Sequence, residues 1–109
     1  MKEVFKKQIE IYVEQNGQAP FINWLESLSP PIRARVKERL DRVTLGNLGD
    51  YKKINKDILE LRLSFGPGYR IYFYQKGNKI ILLLSGGDKS TQKKDIKKAI
   101  NYLNDYLSE

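Results

Sequence analysis

Cysteine and histidine are both missing from this chain of 109 residues. Without cysteine there are no disulfides and no thiolate metal ligands. Without histidine the commonest general base, the usual zinc ligands and every histidine-based triad are excluded. Acid–base chemistry is left to carboxylates, lysine, arginine and tyrosine. Long apolar runs are missing too: none approaches the roughly 20 residues a transmembrane helix needs. The opening MKEVFKKQIEIYVEQ is too charged for a signal peptide. These absences predict a cytoplasmic protein with no membrane association, no metal and no cofactor. Positive charge, by contrast, is plentiful. Lys plus Arg number 20 against 13 Asp plus Glu, a net charge of +7. The excess favours an anionic partner such as nucleic acid, a membrane surface or an acidic protein, although an inert basic surface carries the same charge. The length suits one domain over residues 1–109, able to bury about two-thirds of its unfolded surface without staples.

The pattern of apolar residues predicts a β-α-α-β-β-β-α order. Ile9, Ile11 and Val13 alternate with polar residues, which predicts a first strand. Phe21, Trp24, Leu25 and Leu28 recur at helical steps between Ala19 and Leu28. The SPP that follows ends this helix and starts another, since proline is tolerated in a first turn. Ile32, Val36, Leu40 and Val43 form the second stripe, Gly46 is a helix stop, and GNLGDYKKINKD reads as irregular. Three strands are expected at about Ile58–Phe65, Tyr69–Gln75 and Lys79–Ser85, with KGN joining the last two. The run IILLL is apolar on both faces, so its strand belongs at the centre, covered on both sides. A last helix carries Ile96, Ala99, Ile100, Leu103 and Leu107 on one face. The expected fold is a small α+β domain, with helices packed on a mostly antiparallel four-stranded sheet.

The stretch ELRLSFGPGYRIYF holds the candidate chemistry. Alternation puts Leu59, Leu61, Leu63 and Phe65 on one face with Tyr69, Ile71 and Phe73, and Glu60, Arg62, Ser64, Arg70, Tyr72 and Tyr74 on the other. A three-residue turn at Gly66-Pro67-Gly68 would set Arg62 opposite Tyr72 and make the arginines diagonal neighbours, about 7–8 Å apart. Guanidinium forks suit phosphate oxygens and tyrosine faces suit unstacked bases. The same pattern also describes a plain solvated face in which Glu60 pairs with either arginine. In SGGDKST the glycines would turn the chain after the buried strand, Ser90 or Thr91 would cap the last helix, and Lys89 would stand beside an anion-friendly helix end. An ordinary strand-to-helix turn reads the same way.

Taken in order, FINWLESL, RLDRVTLGNLGDYK, ELRLSFGPGYRIYF and ILLLSGGDKSTQKKDI resemble the RelE/ParE toxin superfamily, in its HigB-like addiction module killer branch. The resemblance runs from about Phe21 to the last helix. It implies the toxin of a type II toxin–antitoxin system: a metal-independent endoribonuclease that cuts messenger RNA on the ribosome and inhibits translation. It also implies a cognate antitoxin as partner, expected to be a helix-turn-helix protein. By motif position Arg70 corresponds to a transition-state-stabilising arginine, with Arg62 and Lys89 at further basic positions. Glu60 stands where some relatives carry a basic residue, and as the one carboxylate on the predicted face it is the candidate general base. Tyr72, Tyr74, Lys52 and Lys93 are the expected RNA contacts. Two other readings stay open: a ParE-like gyrase poison without nuclease activity, and an inactive nucleic-acid-binding domain.

Overall fold

The computed structural model describes residues 6–109, and its elements follow the expected order with one addition. Strand β1 (Gln8–Ile11) is followed by helices α1 (Pro20–Glu26) and α2 (Pro30–Thr44). Strands β2 (Tyr51–Lys53), β3 (Ile58–Leu63), β4 (Tyr69–Lys76) and β5 (Ile80–Asp88) come next. A 3₁₀ turn (Lys89–Thr91) then leads into α3 (Gln92–Leu107). The sheet has five strands in the order β1-β5-β4-β3-β2, with β1 parallel to β5 and the other pairs antiparallel.

The added strand, β2, lies inside the stretch expected to be irregular. All three of its residues are exposed and it forms a sheet edge, so no apolar alternation marks it. The stop at Gly46 is as expected. Gly46 has φ +88°, its N–H bonds to Val43 O at 2.9 Å, and Asn47 N–H reaches Arg42 O at 2.9 Å. That pair of bonds is a Schellman motif, and the positive φ is what glycine supplies.

The central placement of IILLL holds. Ile81 and Leu83 join Phe21, Leu25, Val36, Leu40, Val43, Leu61, Ile71 and Phe73 in a core under α1 and α2. Leu82 and Leu84 join Tyr12, Ile58, Tyr72, Ala99 and Leu103 in a second core under α3. Alternation alone divides these residues between the faces, and a bulge then follows: Tyr72 pairs with Ser85 while Phe73 pairs with Leu83. The extra residue leaves Leu84 and Ser85 on the same side of the sheet.

The two glycines of SGGD do not turn the chain. β5 runs straight through them, Gly86 opposite Ile71 and Gly87 opposite Arg70. Neither has a positive φ. Their role is close approach: a Cβ on Gly86 would lie 2.3 Å from the Trp24 ring, and one on Gly87 would lie 1.8 Å from Asp95 Oδ2. The cap is also different from the one expected. Asp88 accepts from Ser90 N–H at 2.8 Å and Thr91 Oγ1 completes the box from the other side, but Thr91 makes no side-chain cap on α3 itself.

Candidate functional site

Ladder register brings the arginines closer than the sequence suggests. Leu63 pairs with Tyr69, Arg62 with Arg70 and Glu60 with Tyr72. The connection is therefore five residues long, Ser64 to Gly68, and not three. Within it Gly68 N–H closes a turn on Phe65 O at 3.1 Å, and Gly66 and Gly68 take φ +56° and +79°. The register differs by two residues from the expected one, so every side chain keeps its face. The arginines become direct cross-strand partners, with Cβ atoms about 4.5–5.5 Å apart.

Like charges directly opposed on a sheet destabilise it. One buried carboxylate offsets this pair. Glu60 is 0% exposed, and its Oε1 accepts from Arg62 Nε at 3.0 Å. Its Oε2 accepts from Gln92 Nε2 at 2.9 Å, in the first turn of α3. Burial on its own raises the Glu60 pKa. The hydrogen bonds from Gln92 and Arg62, together with the charge of Arg70, outweigh burial and hold it below the usual value. Arg62 remains about a third exposed, at 32% of its side chain. Arg70 is half-buried, and its Nε is buried without a hydrogen-bond partner.

This geometry changes the role expected of Glu60. A general base at neutral pH needs a raised pKa and reach to a substrate proton. Glu60 has a lowered pKa, both oxygens engaged and no exposed surface, so it anchors Arg62 and compensates Arg70. Tyr72 departs from expectation as well. It is 0% exposed, packed beneath α3 next to Glu60, and offers no open face to a base. Burial, and then the charge of Glu60, push its phenol pKa well above the usual range, so it stays protonated. Tyr74 packs partly buried against the α3 core, four residues and about 13 Å along β4 from Arg70. The face read as open is thus covered by α3 over Glu60 and Tyr72, while Arg62, Lys52 and the end next to the Ser64–Gly68 connection stay accessible.

The remaining expected residues cluster round that end with different degrees of closeness. Lys52 is exposed on β2, directly opposite Glu60. Lys89 is exposed where β5 ends, and its Cβ lies 3.7 Å from where a Cβ on Gly68 would stand. Lys93 is exposed on the first turn of α3, next to Gln92. No pattern in the chain marks Gln92 or Asp95. Asp95 is buried at 8% exposure and accepts from Thr91 Oγ1 at 2.5 Å. It lies against Gly87, on the side of the sheet that carries Glu60 and Tyr72. Among the described residues no group of acidic side chains is arranged to hold a metal ion. No helix among the described residues is long and apolar enough to cross a membrane.

Acid titration reports on the anchor. Because the Glu60 pKa is lowered on folding, its contribution is complete above the unfolded value near 4.5 and is lost as pH falls through the folded value. The urea midpoint of the wild type should drop between pH 6 and pH 3 by more than that of Glu60→Gln. Equal drops would remove the carboxylate from this role.

The family model described as Phage derived protein Gp49-like matches residues 23–104. An uncharacterized protein of Haemophilus influenzae is 45% identical over 80 residues, covering 72% of this chain and 81% of that protein. Among solved structures, a double arginine-to-alanine mutant of the E. coli toxin RelE in the free state superposes with a TM-score of 0.63. That match covers 91% of this chain and 97% of the RelE chain at 14% identity, so it speaks for the fold.

Proposed function

The chain belongs to the phage-derived Gp49-like family, and from that premise we propose that it is the toxin of a type II toxin–antitoxin pair, HigB-like in type, acting as a ribosome-dependent endoribonuclease on messenger RNA. The observation that carries the reading is the direct pairing of Arg62 with Arg70 over a single buried carboxylate. Two guanidinium groups and one anion leave a net positive charge at the accessible end of the sheet. Such an arrangement costs folding energy and is repaired by a bound phosphate, whose oxygens take the planar forks.

Metal-independent cleavage needs the 2′-hydroxyl aligned with the phosphate, the phosphorane charge stabilised and the leaving 5′-oxygen protonated. Arg70 and Arg62 stabilise the phosphorane, and Lys89 serves a flanking phosphate or the leaving oxygen. Glu60 and Tyr72 act behind them as positioning residues. With Glu60 buried and engaged at both oxygens and no histidine in the chain, the rate rests chiefly on alignment of the substrate and on fixed positive charge. The partner expected for such a toxin is an antitoxin with an acidic segment that neutralises this end of the sheet.

Mapping transcript ends after brief induction in bacteria tests the proposal. Defined cuts within translated codons are expected, and they should vanish when translation is blocked beforehand. Intact transcripts together with cleaved DNA trapped on gyrase would replace the nuclease with a gyrase poison.

A further inference from the structure

A second cluster of arginines lies beyond the Arg62–Arg70 pair. A cleft of about 320 Å³ separates α2 from the end of β3 and the Ser64–Gly68 connection. Arg35, Arg39, Arg42 and Arg62 line it, with Glu38 and Asp50 as the acidic residues. Despite those two carboxylates, Arg62–Glu60 is the one ion pair within 4.0 Å among the described residues. Among the described residues, Arg35, Arg39 and Arg42 therefore make no direct ion pair.

Two of these groups are held in place. The Arg35 guanidinium lies 3.7 Å from the centroid of the Phe65 ring, a cation–π stack that fixes its plane. Arg39 donates from Nη2 to Asp50 O at 2.9 Å and rests on the backbone of Gly49. A Cβ on Gly49 would lie 2.8 Å from Arg39 Nη2, so the glycine makes room for the guanidinium. Burial and the neighbouring Arg42 charge lower the Arg39 pKa, and the Asp50 charge offsets them only in part.

We propose that this cleft is a second phosphate site on the path of a single RNA strand, in which Arg35, Arg39 and Arg42 grip backbone phosphates beyond the one held by Arg62 and Arg70. The inference rests on the RNA reading above and adds a direction and a length to it. Arg62 stands where the two sites meet: its residue lines the end of the cleft, while its guanidinium lies on the α3 face of the sheet, bonded to Glu60 and opposite Arg70. A strand bound at the pair reaches the α2 side of the sheet by passing round its end at the Ser64–Gly68 connection. Planar, immobilised guanidinium groups fit phosphate oxygens in pairs. The substrate must then extend past the scissile phosphate on one side.

Fluorescence anisotropy with uncleavable 2′-O-methyl RNA, an octanucleotide and a dinucleotide, tests this apart from any cleavage. For the octanucleotide, log affinity should fall with log salt, and the slope should shrink by about 0.7 for each phosphate contact removed. Arg35→Gln/Arg42→Gln should flatten the slope by about 1.4 and weaken binding at least about tenfold at low salt. The dinucleotide should bind both proteins alike. Arg42→Gln alone, at an exposed position, should give about half the change in slope and excludes misfolding as the cause. Unchanged octanucleotide slopes in both variants would overturn the second site. So would an acidic decapeptide that responds to the substitutions while RNA does not, since that would make the cleft a protein site. If slopes respond but no transcript is cut in cells, the cleft stands as a nucleic-acid site and the nuclease reading fails by itself.

Discussion

Arg70→Ala is expected to lower transcript cleavage, and with it growth inhibition, by at least about 100-fold, the usual cost of removing one donor to a transition-state charge. Arg70 is the strongest choice because of its surroundings. It is half-buried, directly opposite Arg62, with an Nε that has no protein acceptor. Arg62 spends its own Nε on Glu60. Of the two, Arg70 is the one that no carboxylate ties down by a hydrogen bond among the described residues. Arg70→Lys should recover only part of the activity, because an ammonium keeps the charge and loses the planar fork. The alanine variant should fold at least as well as the wild type, since it removes one of two opposed cations. Inhibition that persists undiminished in a well-expressed Arg70→Ala protein would rule the residue out of the chemistry.

Gly86→Ala is expected to be among the most damaging single-methyl changes in the fold. The new Cβ would stand 2.3–2.7 Å from three atoms of the Trp24 ring system. Trp24 cannot move aside easily. Its ring packs between Phe21, at 5.7 Å, and Tyr69, at 6.2 Å, against the core under α1 and α2. Either α1 lifts or β5 shifts away from β4. Overpacking of this kind costs about 1–3 kcal/mol. In a domain of this size that corresponds to a melting temperature lower by about 5–15 °C. A thermal melt within about 2 °C of the wild type would show that α1 is less tightly seated than its contacts imply. At Gly77, where nothing lies within 4 Å of an added Cβ, the same substitution creates no clash and strains only the positive φ of +60°. It serves as the control for a turn effect without a packing effect.

Much of the fold was legible in the chain, and the reason lies in periodicity. The alternation in Ile58–Leu63 and Tyr69–Lys76, the unbroken apolar run in β5 and the helical stripes of α2 and α3 are local signals of burial. β2 escaped because an exposed edge strand of three residues carries no such signal. The glycines of SGGD were misjudged because sequence reading treats paired glycines as a turn. What requires them is the bulk of Trp24 and Asp95, which approach from distant parts of the chain.

By itself the sequence determined the order of every strand and helix except β2, the shared face of Arg62 and Arg70, the absence of histidine chemistry and the excess of positive charge. These follow from composition and from a side-chain period of two, which survives a register shift of two residues. Only the tertiary structure decided how far apart the arginines stand, that α3 seals Glu60 and Tyr72 beneath it, and that Gln92 closes the carboxylate's second oxygen. It also decided that α2 and the Ser64–Gly68 connection enclose three further arginines in one cleft. Each of those depends on contacts between segments far apart in the chain, where burial and hydrogen bonding turn a general preference for anions into a site with a definite geometry.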